Sequence, residues 1–235
     1  MVSEIMLQQT PVKRVVNKYI QFIINFPDFP SLAKSSLSKI LKVWYGLGYN
    51  RRVLALKQIA EIVVNKFDGI LPSNPEILLT FPGIGRYTAS AICTFAFNLP
   101  TVFIETNIRT VFIHYFFHNQ SKVKDKDVLP LVEKTLDMSN PREWYFALMD
   151  YGWMLKRKCV NPTRRSSSYH KQPPFKGSDR QIRGMILKIL IHKNGVSERE
   201  VVHQLTIDPK KVKKNLIRLQ DEGFIRKEED RFVIA

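Results

Sequence analysis

From Val2 to about Lys158, apolar residues recur at intervals of three and four, and prolines interrupt the pattern every few turns. Val12, Val15, Val16, Tyr19, Ile20 and Ile23 form one such series, and Val53, Leu56, Ile59, Ile62 and Val63 another. This is the spacing of one face of an amphipathic helix. Pro27, Pro30, Pro72, Pro82, Pro100 and Pro141 fall between such series, as residues that cannot donate within a helix should. Ser31, Ser36 and Ser73, the last followed by Asn74-Pro75-Glu76, mark helix starts. No run alternates apolar and polar as a strand would. The reading is a mostly α domain over residues 1–158.

The character changes after that point. Asn161-Pro162-Thr163-Arg164-Arg165-Ser166-Ser167-Ser168 and Pro173-Pro174 have the composition of an irregular basic linker, expected over 159–178. Beyond it the pattern predicts helices over 179–192, 197–205 and 209–222, the second capped by Ser197 with Glu200 three residues on. Gly223-Phe224-Ile225-Arg226 and Arg231-Phe232-Val233-Ile234 read as two short strands around a charged turn. Three helices followed by a hairpin is the order of a small winged-helix-like domain, expected over 179–235. Lys210, Lys213 and Lys214, with Lys211 and Arg218, would line its third helix, as suits a helix lying along DNA. An ordinary solvated face is the plainer reading of the same lysines.

The 235 residues carry a formal net charge of +16, which draws a chain to polyanions and favours nucleic acid as partner. No apolar run approaches the ~20 residues of a membrane span, so neither a membrane partner nor export is expected, and the location is read as cytoplasmic. The two cysteines, Cys93 and Cys159, fit a reducing compartment. They cannot supply the four thiolates of an iron–sulfur cluster or an all-cysteine zinc site.

The densest local signal is Leu79-Thr80-Phe81-Pro82-Gly83-Ile84-Gly85-Arg86-Tyr87-Thr88-Ala89. Pro-Gly-x-Gly between two helical patterns makes a tight hairpin, whose glycines permit positive φ and close approach of the backbone to another molecule. The amides that open the following helix suit a phosphate oxygen. Gly83, Gly85 and Arg86 are therefore candidate DNA contacts, and a plain interhelical turn is the alternative.

Further strings fall in order around the hairpin. Val2-Ser3-Glu4-Ile5-Met6-Leu7-Gln8-Gln9-Thr10, Tyr45-Gly46-Leu47-Gly48-Tyr49, Phe103-Ile104-Glu105-Thr106-Asn107-Ile108-Arg109 and Leu148-Met149-Asp150-Tyr151-Gly152 together resemble the MutY-type adenine DNA glycosylases of the helix–hairpin–helix superfamily, over residues 2 to about 155. The resemblance implies a helix–hairpin–helix DNA glycosylase domain, followed by the winged-helix-like one. It implies a monomeric base excision repair enzyme that hydrolyses the N-glycosidic bond of adenine mispaired with 8-oxoguanine or guanine. Its partner would be double-stranded DNA with a mismatched or damaged base pair.

The chemistry gives each residue type a purpose. Adenine must leave the stack before its bond can be reached. It departs poorly as an anion, so an acid must protonate N7. The remaining sugar resembles an oxocarbenium ion and needs a carboxylate nearby. By the resemblance Glu4 is the acid, Glu105 the carboxylate, and Tyr87 and Asn107 position the carboxylate, water or sugar. Gln8, Gln9 and Tyr49 would fill the gap left by the flipped base or wedge the opposite strand. Tyr49 packed as a turn residue on Trp44 is the plainer alternative. A Schiff-base lyase would need a lysine where Tyr87 stands, so a monofunctional enzyme is expected.

The chain departs from this family in four ways. Glu105 replaces the usual aspartate, shifting the carboxylate by about 1 Å, a change that can cost on the order of a hundredfold in rate. Lys156 falls where the first cluster cysteine would be and Cys159 is alone, so no iron–sulfur cluster is expected, with a monovalent cation at the hairpin the one cofactor left open. Lys156-Arg157-Lys158 and Arg164-Arg165 would take over the DNA contacts of the cluster loop. Glu4 lies close to the start of the sequence, so the family's preceding helix is expected to be lacking. The winged-helix-like unit is expected to replace the nudix-like domain that checks for 8-oxoguanine. Two rivals share many of these features: a thymine or uracil mismatch glycosylase, and a non-catalytic DNA-binding protein.

Overall fold

The computed structural model describes residues 1–193 and 195–235. They form two compact units, Pro72–Gln172 with Met1, and Val2–Leu71 with Pro173–Ala235. The chain opens with α1 (Val2–Leu7), α2 (Val12–Asn25), α3 (Phe29–Lys34), α4 (Leu37–Trp44) and α5 (Arg51–Lys66). Val53, Leu56, Ile59 and Val63 of α5 are fully buried, as their spacing predicts, and Ala60 joins them, whereas Ile62 of the same series is only partly buried. The α2 series behaves differently. Val15 and Phe22 reach the core, whereas Val12, Val16 and Ile20 are at least half exposed, so the sequence periodicity locates the helix but not its buried face. Ser36 caps α4, accepting from the Lys39 amide. The start of α3 is set instead by Asp28, whose carboxylate accepts from the Ser31 amide while the Ser31 hydroxyl accepts from the Asp28 amide. Pro30 is the second residue of the helix, two places after the cap, because proline fits the first helical turn, where no intrahelical donor is needed.

The unit Pro72–Gln172 contains α6 (Pro75–Leu79), α7 (Arg86–Phe97), α8 (Thr106–Phe116), α9 (Asp125–Thr135) and α10 (Pro141–Lys158). Here too the cap is displaced from the expected Ser73: Asn74 Oδ1 accepts from the Glu76 and Ile77 amides. The core gathers Phe103, Ile108, Phe112, Ile113, Val128, Val132 and Tyr145, with α8 packed between α9 and α10. The segment expected as the start of an irregular linker belongs to this unit. Residues Pro162–Arg165 form a 3₁₀ turn against α8. Its Thr163 hydroxyl bonds the Thr110 hydroxyl at 2.7 Å. Arg165 donates to the carbonyl of Ile113 in the last turn of α8 and to those of Phe117 and His118 just past its end, and Val123 and Ser166 form a parallel bridge. These contacts order a stretch whose composition alone reads as a flexible tether.

After Pro173 the chain forms α11 (Asp179–His192), β1 (Val196–Ser197), α12 (Glu198–Leu205), α13 (Pro209–Asp221), β2 (Ile225–Glu228) and β3 (Arg231–Ile234). The sheet is antiparallel in the order β1-β3-β2. Sequence reading finds β2, β3 and the Ser197–Glu200 capping box of α12, but not the two-residue β1, which is too short to show a period. These residues, expected as a winged-helix-like domain over 179–235, group with Val2–Leu71 in one compact unit. Arg51 of α5 and Arg183 of α11 both bind the Glu222 carboxylate, which joins the two stretches by charge. Among the described residues no helix is long and apolar enough to cross a membrane.

Candidate active site

The candidate residues lie in both units, and each set is built differently. In the unit Val2–Leu71 with Pro173–Ala235, Glu4 stands in the first turn of α1, with Gln8 and Gln9 just beyond its end. Tyr49 ends the Gly46-Leu47-Gly48 turn before α5. Gln9 and Tyr49 have φ of 52° and 48°, the left-handed region that costs a non-glycine residue free energy unless the surroundings hold it. The holder is Arg52. Its side chain is buried and reaches across both motifs. Nη1 donates to the carbonyls of Ile5, Met6 and Gln8 at 2.9, 2.7 and 2.7 Å. Nη2 donates to Thr10 Oγ1 at 3.0 Å and to the carbonyls of Leu47 and Gly48 at 3.4 and 2.9 Å. Burial pulls this guanidinium down to about 10, which leaves it charged at neutral pH. One planar fork thus fixes the relative position of the α1 end and the glycine turn.

Trp44 is fully buried and donates from Nε1 to the Gly48 carbonyl at 3.1 Å. The Tyr49 hydroxyl accepts from Arg180 Nη1 at 2.8 Å, and both Arg52 and Arg180 lie near its ring, at 5.4 and 5.7 Å from the centroid. On α13, Lys210 and Lys213 are exposed. Lys214 and Arg218 face Asp179 at 3.3 and 2.9 Å, so part of that helix's charge is matched within the chain.

In the unit Pro72–Gln172, the hairpin joins α6 to α7. Gly83 has φ +73°, a conformation that favours glycine. Gly85 differs: its φ is −93° and a Cβ there would meet nothing within 4 Å. Its missing side chain therefore leaves open approach to the α7 amides rather than meeting a backbone need. Arg86 is exposed as the first residue of α7. Tyr87 packs edge-on against Phe103 at 5.6 Å, and Phe103 stacks on Tyr145 at 4.0 Å. The Tyr145 hydroxyl accepts from the Phe103 amide and donates to the Thr101 carbonyl, and burial pushes it up to about 12. This aromatic stack anchors the extended residues that lead to Glu105.

Glu105 is the N-cap of α8, and its Oε2 accepts from the Asn107 amide at 2.5 Å. The longer side chain folds back onto its own helix. The Asn107 Oδ1 accepts from Lys156 Nζ of α10 at 2.7 Å. Helices α8 and α10 meet at Gly152, where a Cβ would lie 2.1 Å from the Asn107 carbonyl oxygen, so only glycine permits this approach. One turn along, Arg109 is bidentate to Asp125 at 2.7 and 2.8 Å.

Sequence reading did not single out Arg52 or Tyr145, which hold these strings, and it assigned Lys156 to DNA contact where the structure sets it on Asn107. Arg52 carried a readable signal: it falls in register with Leu56, Ile59 and Val63 on the buried face of α5, where an unpaired charge could not stay. Lys156 carried another, four residues after Gly152 on the same face of α10. Tyr145 looked like ordinary core. The thiols do not fit an iron–sulfur cluster. Cys93 is buried in α7 with its Sγ on the Ser73 carbonyl, Cys159 caps α10 on the Leu155 carbonyl, and the sequence holds no third.

The chain belongs to the HhH-GPD superfamily of base excision DNA repair proteins, whose sequence profile matches residues 2–135. Within that class its relatives are narrower in kind. It is 31% identical over 208 residues to the adenine DNA glycosylase of Mycolicibacterium smegmatis, covering 81% of this chain and 70% of that one. It is 39% identical over 165 residues to the adenine DNA glycosylase of Buchnera aphidicola from Baizongia pistaciae, covering 68% of this chain. The chain spans about half the length of the Buchnera relatives, 46% and 47%. Among solved structures, a thermostable thymine-DNA glycosylase superposes with a TM-score of 0.61 at 26% identity, over 68% of this chain and 76% of that one. An endonuclease III bound to DNA shares the fold, with a TM-score of 0.55 at 16% identity.

Proposed function

We propose that this protein is a monofunctional adenine DNA glycosylase acting on double-stranded DNA that carries adenine opposite 8-oxoguanine or guanine, and that it works without an iron–sulfur cluster. The observation that carries the reading is the Val2–Thr10 string with Glu4, held to the Gly46–Tyr49 turn by Arg52. It supports the reading because these are the two segments that the resemblance assigns to base protonation and to filling the duplex. Glu4 gives its proton to N7 as the C1′–N9 bond breaks, so adenine leaves neutral. Glu105 stabilises the positive charge that develops on the sugar. Water then adds to C1′ and its proton returns to a carboxylate. The space at Gly85, where a Cβ would meet nothing within 4 Å, and the charge of Arg86 suit the approach of a backbone phosphate. Tyr87, where a lyase would carry a nucleophilic lysine, supports hydrolysis alone.

The 26% identity to a thymine-DNA glycosylase favours thymine opposite guanine as the second reading. A single-turnover assay on four duplexes, A opposite 8-oxoguanine, A opposite G, T opposite G and U opposite G, separates the two. Adenine release without strand cleavage and without stoichiometric iron is expected. Release of thymine or uracil but never adenine overturns the assignment.

A further inference from the structure

Lys156 reaches the Glu105–Asn107 corner through a side-chain hydrogen bond, and an ammonium is an unusual group to find there. Its Nζ lies 2.7 Å from Asn107 Oδ1. An ammonium donates and never accepts, so only the amide oxygen can face it. The Asn107 side chain is thereby left with its NH2 as the group it can offer elsewhere. The Asn107 backbone amide meanwhile donates to Glu105 Oε2 at 2.5 Å, so one residue links the lysine to the carboxylate. The contact is built into the packing. Gly152, one turn before Lys156, brings α10 onto the Asn107 backbone with no room for a Cβ. Desolvation of the half-buried Lys156 lowers its pKa, the Glu105 charge raises it again, and Arg109 lowers it. The ammonium is therefore electrostatically coupled to the carboxylate.

We propose that Lys156 is a positioning residue for base excision: it orients the Asn107 amide as a hydrogen-bond donor and fixes a positive charge on the residue whose backbone amide binds Glu105. This rests on the reading of the chain as an adenine glycosylase. A fixed amide donor and a fixed cation at this corner set its electrostatics before an oxocarbenium charge develops there. The role belongs to this chain's own sequence, because the related position in the resembling family carries a cluster cysteine.

The test compares Lys156→Met, Lys156→Arg and the wild type in the intact protein. Loss of the one charge-assisted bond that holds the Asn107 side chain beside the reacting carboxylate predicts about a tenfold or greater drop in the single-turnover rate of adenine release for Lys156→Met. Its affinity for a duplex with an abasic-site analogue should stay within about threefold, because the Lys156 ammonium is engaged by Asn107 Oδ1 and is not the phosphate contact that the sequence suggested, which leaves that role to its neighbours. Lys156→Arg keeps a donor and a charge and should restore most of the rate. In Lys156→Met the side-chain ¹⁵N–¹H₂ signal of Asn107, assigned by its disappearance in Asn107→Ala, should shift. An unchanged rate, or a rate that falls only in step with DNA affinity and melting temperature and is not restored by arginine, overturns the proposal. Borohydride trapping of Lys156 on DNA also overturns it, by making the lysine a nucleophile. A wild type that releases no adenine sinks the functional reading alone. The Asn107 signal then decides the positioning claim, and an unshifted signal refutes it.

Discussion

Around Arg52 the polypeptide is gripped through its backbone, whereas around Lys156 it is gripped through side chains. The guanidinium gathers carbonyls from Ile5, Met6, Gln8, Leu47 and Gly48, and so fixes where Gln9 and Tyr49 sit irrespective of what those side chains are. The Lys156 corner depends instead on one ammonium, one amide and one carboxylate, with Gly152 setting the helix separation. The first arrangement fixes a shape. The second tunes a charge, and its effect should appear in rate more than in stability.

The contrast is broken most directly at Arg52. Arg52→Met would leave several buried carbonyls without donors, and removing one partner of such a network costs about 3–5 kcal/mol. Urea denaturation should show that loss, with Arg52→Lys recovering part of it because a point donor cannot span both motifs. A loss below about 1 kcal/mol would mean that the backbone grip is not what holds the turn.

A smaller effect sharpens the contrast within the same unit. Arg183 and Arg51 hold the Glu222 carboxyl down at about 2, below its ordinary 4.5. Because the folded-state value is depressed, the stabilisation is present above the ordinary value and fades as pH falls from about 5 through 2. Arg51 is mostly exposed, so solvent screening reduces the effect, and about 2 kcal/mol at neutral pH is a reasonable size. Glu222→Gln should therefore be less stable than the wild type at pH 7, with the gap closing towards pH 2. A gap that persists unchanged at pH 2 would assign the effect to packing.

The same contrast explains what was legible in the sequence. Helix positions, the hairpin, the capping box of α12 and the strings bearing Glu4, Glu105, Tyr87 and Asn107 could all be read, because each is a local pattern. The grouping of Val2–Leu71 with Pro173–Ala235 could not, since it rests on pairs such as Arg51 with Glu222 that are far apart in the chain. The ordering of residues 161–168 was hidden for a similar reason. Serines and arginines read as a tether until Arg165 is seen to cap α8 and Thr163 to pair with Thr110. Glu105 was expected to shift its carboxylate by about 1 Å relative to aspartate; that the carboxylate would also cap its own helix, on the Asn107 amide, was not read from the sequence.

The central claim is that Glu4 and Glu105 carry out the excision, and the single-turnover rate of adenine release from a duplex with A opposite 8-oxoguanine tests it most directly. Glu4→Gln should release no measurable adenine while binding an abasic-site analogue within about threefold of the wild type, because the amide keeps the shape of the acid but has no proton of suitable acidity to give. Glu105→Gln should lose several kcal/mol of transition-state stabilisation, and Glu105→Asp should retain the rate or raise it. An active wild type whose rate is indifferent to both Glu4→Gln and Glu105→Gln would contradict the claim.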